Sequence, residues 1–124
     1  MFTIPKKVHT APIKISIAIP PENPQVKGSF IAHAKVRSKA ENKAMLEKYS
    51  NWEGEGDGDE AMVRELFDRF EGLGNEEGPL EGDAAFAEVL TGSLSAYLVP
   101  AVIQAYYEQY GEARQGNSRR LRGR

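Results

Sequence analysis

The first acidic run of the chain has the residue spacing that comes nearest to a metal site. Glu53, Glu55 and Asp57 alternate with glycines and Gly58 follows them, as carboxylates and a turn-forming glycine do at the start of a calcium loop. An EF-hand loop also needs a bidentate glutamate at its twelfth position, and counted from Glu53 that position is Arg64. The spacing therefore predicts an acidic, solvated loop rather than a calcium site.

The two histidines are the residues best suited to acid–base chemistry, and the sequence gives neither of them a partner. His33 alternates with apolar residues and no carboxylate lies close to it in the sequence, which predicts a surface position on a strand. His9 lies near the predicted flexible start of the chain. The chain has no cysteine, no nucleophile elbow and no phosphate-binding glycine motif. We therefore predict no enzymatic activity, no cofactor, and no catalytic or metal-binding residue.

Charged residues are distributed unevenly along the 124 residues, although the formal net charge is only −2. Residues 1–48 hold nine bases and three acids, whereas residues 53–88 hold thirteen of the eighteen acids. Five arginines follow in residues 114–124. This partition fits three solvated surfaces, head-to-tail attraction between copies, or binding to a charged partner. The basic end raises nucleic acid as a partner, but it has no aromatic residue on which bases could stack, so none is expected.

Two apolar runs with a period of two predict the first elements. The first run places isoleucines at alternate positions, namely Ile13, Ile15, Ile17 and Ile19. A proline-rich stretch interrupts it, because proline cannot donate to a strand ladder. A second alternating run carries Phe30, Ala32, Ala34 and Val36. The two runs predict an antiparallel β-hairpin whose apolar face packs on helices or on another copy, since a lone hairpin is marginal in water.

The residues after the hairpin predict helices. Ser38 and Glu41 form a capping box that opens a first helix to about Tyr49, with Ala44, Met45 and Tyr49 facing the core. A second helix is predicted from Asp59 to a stop at Gly72, because five apolar residues fall on one helical face: Met62, Val63, Leu66, Phe67 and Phe70.

Two further helices complete the prediction. Asp83 opens a short helix that ends before Gly92, after an acidic loop at residues 74–82. Ser93 or Ser95 opens the longest helix, which runs to about Tyr110 and carries Pro100 near its first turns.

The predicted fold class is α+β, with an N-terminal antiparallel β-hairpin followed by a mainly α-helical domain of about four helices. Residues 1–10 are predicted to be a flexible start and residues 11–112 a single domain. Within that domain the hairpin spans 12–37 and the helices span 38–111. Residues 113–124 are predicted to be a basic, disordered tail, because they lack apolar periodicity.

Aromatic residues of the last helix predict a contact surface. Tyr106 and Tyr107 are adjacent, so they point to neighbouring faces of one helix, and a thin domain cannot bury both. Tyrosine is enriched at protein interfaces. Six residues are predicted to contact a partner or a second copy: Phe30, Leu98, Val102, Tyr106, Tyr107 and Tyr110.

No segment of the sequence is predicted to cross or enter a membrane. The longest apolar stretch, Leu94–Ile103, is shorter than the roughly 20 residues that span a bilayer, and Ser95 and Pro100 interrupt it. Residues 1–8 lack the apolar region of a secretory signal. The predicted compartment is the cytoplasm.

The order of several segments resembles that of the tail assembly chaperones of long-tailed bacteriophages, over roughly residues 10–117. The resembling segments are the hairpin with Gly28-Ser29-Phe30 and Lys35-Val36-Arg37-Ser38, then Phe70-Glu71-Gly72-Leu73 and Glu77-Gly78-Pro79-Leu80, then Phe86-Ala87-Glu88-Val89-Leu90, Val102-Ile103-Gln104-Ala105-Tyr106-Tyr107 and Gly111-Glu112-Ala113-Arg114-Gln115-Gly116-Asn117.

This resemblance implies a function by binding. Such proteins multimerise, coat the long tape measure protein in the infected host's cytoplasm, keep it soluble and help recruit tail tube subunits. They are absent from the mature virion. In many, a −1 ribosomal frameshift yields a longer form that engages the tail tube protein, and codons for Gln115-Gly116-Asn117 can contain a G-GGA-AAY slip site. The alternatives are a structural virion component, such as a tail tube or head–tail connector subunit, and a small nucleic-acid-binding regulator.

Overall fold

A three-stranded antiparallel sheet packs one of its faces against a layer of helices, in a computed structural model that describes residues 1–6 and 8–110. The predicted α+β class is confirmed. The predicted tail at 113–124 lies outside the described residues. The elements are β1 (Thr10–Ile19), β2 (Val26–Lys35), α1 (Lys39–Ser50), α2 (Gly58–Leu66), β3 (Phe67–Glu71), β4 (Gly74–Asn75), β5 (Gly78–Pro79), α3 (Gly82–Thr91) and α4 (Ser95–Tyr110).

The N-terminal hairpin is confirmed. β1 and β2 pair along their whole length, from Thr10 opposite Lys35 to Ile19 opposite Val26. Alternate residues of β1 point into the core, where Ile13 and Ile15 are buried. The alternation of apolar and polar residues therefore correctly predicts a strand with one buried face, because helices pack against only one face of the hairpin.

The second predicted helix is wrong in its second half. α2 ends at Leu66, and residues 67–71 form β3, which pairs antiparallel with β2 and completes the sheet in the order β1-β2-β3. Phe67 and Phe70 are three residues apart and would face opposite sides of a regular strand. A register shift opposite His33 and Ala34 brings both phenylalanines to the buried face. Phe67 and Phe70 thus have the spacing of a helical face, but they lie on an irregular strand.

The helix starts follow local chemistry. The N–H of Glu41 donates to Oγ of Ser38 over 3.1 Å, and the N–H of Ser38 donates to Oε1 of Glu41 over 2.9 Å, which confirms the capping box. These bonds from Ser38 lower the pKa of Glu41. Met45 is buried, but Ala44 is exposed, so its predicted core position is wrong.

The later helices differ from the prediction mainly at their first residues. α2 is capped by Asp57 rather than Asp59, since the Asp57 side chain accepts the N–H of Asp59 over 2.8 Å. α3 has no side-chain cap and ends before Gly92, as predicted. α4 begins at Ser95, one of the two predicted starts, and includes the exposed Pro100. The predicted loop before α3 contains the short β4–β5 hairpin.

Aromatic rings tie the sheet to the helices. Phe70 lies at the centre of this cluster, with its ring 4.8 Å from that of Phe86 on α3, 5.6 Å from Phe67 and 5.9 Å from Phe30. Phe67 meets Tyr106 of α4 edge to face at 6.1 Å. Edge-to-face and tilted rings at these separations are favourable beyond the area that they bury. The β3 residues therefore lie at the centre of the core.

Candidate partner-binding surfaces

The six predicted contact residues divide into two groups. Phe30, Leu98, Val102 and Tyr106 are each at most 6% exposed and form part of the chain's own core. They stabilise the fold, and a partner could touch them only if the fold opened. Tyr107 and Tyr110 are only partly buried at the edge of the core. The contact surface on α4 is therefore restricted to these two tyrosines and their neighbours.

A line of half-buried apolar side chains runs along α4, and we refer to it as the α4 stripe. Its members lie at successive helical turns on one side of the buried residues: Val99, Ile103, Tyr107 and Tyr110. Burial raises the pKa of the Tyr107 phenol, and the negative charge of Asp59 raises it further. Burial likewise raises the pKa of Tyr110. Both phenols therefore stay neutral at physiological pH and can donate hydrogen bonds.

A groove of about 350 Å³ lies at the first turns of α4, where the α4 stripe begins. Its apolar wall comes from α3 and α4, and its acidic wall from the start of α2. The lining residues are Asp57, Asp59, Glu60, Leu90, Ser95, Ala96, Val99 and Pro100. Groove and α4 stripe together form a continuous half-apolar surface bordered by carboxylates. Such a surface suits an amphipathic helix that carries basic residues.

The acidic residues that precede α2 form an ordered loop, residues 53–57, which we call the acidic loop. The indole of Trp52 stacks on the ring of Tyr49 at 5.1 Å and donates from Nε1 to the carbonyl of Gly56 over 3.2 Å. A Cβ on Gly54 would lie 2.5 Å from the indole ring, so the loop approaches Trp52 as only glycine allows. The loop therefore holds its exposed carboxylates around a fixed aromatic ring.

The sheet presents its second face without a helix against it in the part of the chain that the structure describes; we call this the outer sheet face. Strand alternation, register and exposure place on it, among others, Lys14, Ser16, Lys27, Ser29, Ile31, His33, Lys35, Asp68, Arg69 and Glu71. Among these described residues Lys14, Lys27, Lys35 and Arg69 are basic, and Asp68 and Glu71 are acidic. Nη1 of Arg69 lies 2.8 Å from Oδ2 of Asp68. The outer sheet face is therefore polar and carries more basic than acidic residues.

His33 has a partner that the sequence did not suggest. Its Nε2 lies 2.7 Å from Oε1 of Glu71, 38 residues away on β3. The prediction that His33 occupies a strand is right, but its side chain is only 12% exposed and it is bonded to a carboxylate. The β2–β3 pairing creates this contact, and no local signal could have revealed it. The bond also pairs one of the two acids of the outer sheet face, Glu71; the other, Asp68, is paired with Arg69.

A polar cluster joins the sheet to α1 and α2. The carboxylate of Glu65 accepts from Oη of Tyr49 over 2.5 Å and from Nζ of Lys48 over 3.1 Å, while the Arg37 guanidinium lies 3.9 Å away. Burial by itself would raise the pKa of Glu65, but the hydrogen bonds and both cations outweigh it, so the pKa is lowered. Arg37 also donates to the Glu65 carbonyl over 2.5 Å. The cluster fixes the two helices that flank the acidic loop.

Across residues 1–6 and 8–110, no group of three or more His, Asp or Glu side chains is arranged to hold a metal ion. In the same residues, no single helix is both long and apolar enough to cross a membrane, and α3 with α4 pass that test only as a pair bent by 107°. No protein-family model, curated protein or solved structure matches this chain.

Proposed function

We propose that this chain is a tail assembly chaperone that binds the tape measure protein of a long-tailed bacteriophage. In this proposal it acts in the host cytoplasm, keeps the tape measure protein soluble and is absent from the mature virion. The order of segments from the hairpin to Gln115-Gly116-Asn117 supports it. The observation that carries the mechanism is the half-buried α4 stripe beside an acidic groove.

The α4 stripe supplies the apolar part of the proposed contact. Ile103 and Tyr107 lie one helical turn apart, and each retains exposed surface. An amphipathic helix of the partner would lay its apolar residues along these side chains, which excludes water from both. The phenol of Tyr107 would donate to a polar group of that helix, in the manner of tyrosines at interfaces.

Carboxylates beside the α4 stripe supply the polar part of the proposed contact with the partner helix. Asp59 and Glu60 line the groove, and Asp59 is close enough to affect the pKa of Tyr107. They would attract lysine or arginine residues on the flanks of the bound helix. The exposed and unpaired acids among residues 53–88 would face water and keep the complex soluble through negative charge.

Co-expression with the tape measure protein tests this proposal. We expect the tape measure protein to be a very long, helix-rich product encoded near this chain's gene, and its soluble fraction is the readout. We expect the chain to raise that fraction and Tyr107→Ser to lower it severalfold. Gln109→Ser is the matched control, because Gln109 is exposed on another side of α4. Equal solubilisation by both variants would contradict a role for the α4 stripe, and no solubilisation by the wild type would contradict the function.

Two further measurements separate the proposed chaperone from a structural virion component. Mass spectrometry of purified particles should not find the chain, whereas a tail tube or connector subunit would be abundant. The DNA that encodes Gln115-Gly116-Asn117 should contain G-GGA-AAY followed by an open −1 frame. That longer product is the form proposed to engage the tail tube protein.

A further inference from the structure

We propose that the basic segment of this chain, Arg119-Arg120-Leu121-Arg122, docks within the same molecule in the groove at the first turns of α4. The occupant of the groove is thus a named part of the chain that lies outside the described residues. The contact itself is independent of the proposed function. Its consequence, that a partner helix must displace the basic segment before it can enter the groove, rests on the proposed function.

The first argument is charge complementarity between the groove and the basic segment. Asp57, Asp59 and Glu60 line the groove, and the described residues that line it include neither lysine nor arginine. The basic segment carries three arginines in four residues. An arginine side chain pairs with a carboxylate through two parallel N–H···O bonds. The basic segment therefore matches the acidic wall of the groove in charge and in hydrogen-bonding groups.

The second argument is the apolar wall of the same groove. Leu90, Val99 and Pro100 contribute to it, and Val99 is half-buried while Pro100 is exposed, so apolar surface remains to be covered. Leu121 stands between arginines in the basic segment. A leucine that covers this wall removes apolar surface from water on both sides, while the long arginine side chains beside it reach the acids.

The third argument is the length of chain between α4 and the basic segment. α4 rises about 1.5 Å per residue, so Val99 lies about 16 Å back along the helix from Tyr110. The extended chain from Tyr110 to Arg119 spans up to about 30 Å. It is therefore long enough to turn back along α4, and Gly111 directly after the helix permits such a turn. A segment tethered this closely has an effective concentration of about 1 mM, so even weak binding keeps the groove covered.

The test is a disulfide crosslink between two introduced cysteines, in a chain that has none of its own. A96C lies in the groove and S118C directly precedes the basic segment, and glutathione disulfide oxidises the pair in dilute purified protein. S16C/S118C is the control pair, because Ser16 on the outer sheet face is exposed, as Ala96 is. At an ionic strength of about 0.01 M, we expect A96C/S118C to form its intramolecular disulfide at least about tenfold faster than the control pair. Mass spectrometry measures both rates, and added salt should reduce the difference.

Charge removal in the groove connects the crosslink to the proposed contacts. D59N/E60Q removes two carboxylates from the groove and should slow the A96C/S118C crosslink to the rate of the control pair. E76Q/E77Q is the matched control, since it removes the same charge from two exposed residues between β4 and β5 and should leave the rate unchanged. Circular dichroism confirms that every variant is folded.

Three results would each overturn the proposed docking. The first is an equal rate for the two cysteine pairs. The second is a crosslink that D59N/E60Q leaves unchanged, or that E76Q/E77Q slows as much. The third is a disulfide-linked dimer in place of the intramolecular product, because the basic segment would then occupy another copy. All three concern the purified chain alone, so the proposed function is judged separately by co-expression with the tape measure protein.

Discussion

The phenol of Tyr106 donates a hydrogen bond to Oδ1 of Asn42 over 2.6 Å, which joins α4 to α1 across 64 residues of sequence. Tyr106 is 1% exposed, and burial raises the pKa of its phenol, so the donor proton is retained well above neutral pH. The same α1 residue donates from Nδ2 to the carbonyl of Tyr110 over 3.4 Å. Asn42 therefore positions the end of α4, where the α4 stripe ends.

Removing the Tyr106 hydroxyl should destabilise the fold without changing its shape. We expect Tyr106→Phe to lower the free energy of unfolding by about 0.5–1.5 kcal/mol, because Asn42 loses its donor inside the protein. Tyr97→Phe is the control, since Tyr97 is 47% exposed, and it should change stability by less than about 0.5 kcal/mol. Urea unfolding followed by circular dichroism measures both. Equal effects would show that the bond contributes nothing to stability.

Val102→Asp should prevent folding rather than disturb a partner contact. The side chain of Val102 is fully buried in the core, so a carboxylate there would lose its hydration among apolar side chains. We expect a loss of about 4 kcal/mol or more, which is comparable with the whole stability of a small domain. Gln109→Asp on the exposed side of α4 should remain folded. A cooperative thermal transition for Val102→Asp near that of the wild type would contradict the assigned core.

Glu65 should make stability depend on acid pH. Its pKa is lowered in the folded chain, so the ionised carboxylate stabilises the fold above the ordinary glutamate pKa of about 4.3. That stabilisation is lost as the pH falls through the lower, folded value. Glu65→Gln should therefore be less stable than the wild type at pH 7, and the difference should shrink below pH of about 4. Urea unfolding over a pH series measures it, with the exposed Glu47→Gln as control. A difference independent of pH would refute the ionic contribution.

Gly54→Ala should displace the indole of Trp52. The added methyl would lie 2.5 Å from the ring, which must move away from Tyr49 to make room. We expect a changed emission spectrum and a loss of about 1–3 kcal/mol. Trp52 is the single tryptophan of the chain, so fluorescence reports on the acidic loop directly. Gly28→Ala is the control, because a Cβ there meets nothing within 4 Å. An unchanged spectrum for Gly54→Ala would contradict the packing of the loop on Trp52.

The parts of the fold that depend only on neighbouring residues can be predicted from the sequence. Alternate isoleucines specify β1, because a strand repeats every two residues and one of its faces must be buried. The bonds between Ser38 and Glu41 start α1 wherever the rest of the chain lies. The absence of cysteine likewise excludes thiol chemistry from composition alone.

The roles of residues 67–71 and of the predicted contact residues depend instead on contacts between residues far apart in the chain. The spacing of Phe67 and Phe70 suits a helix. The edge of β2, however, offers backbone N–H and C=O groups with which residues 67–71 can pair as a strand, and a continued α2 could not use them. Both phenylalanine rings still reach the core, because the strand is irregular. Tyr106 and Tyr107 look alike in the sequence, but packing against Phe67 buries the first and leaves the second half exposed. Local spacing specifies which side chains share a face, whereas burial and pairing depend on atoms that the fold brings from far along the chain.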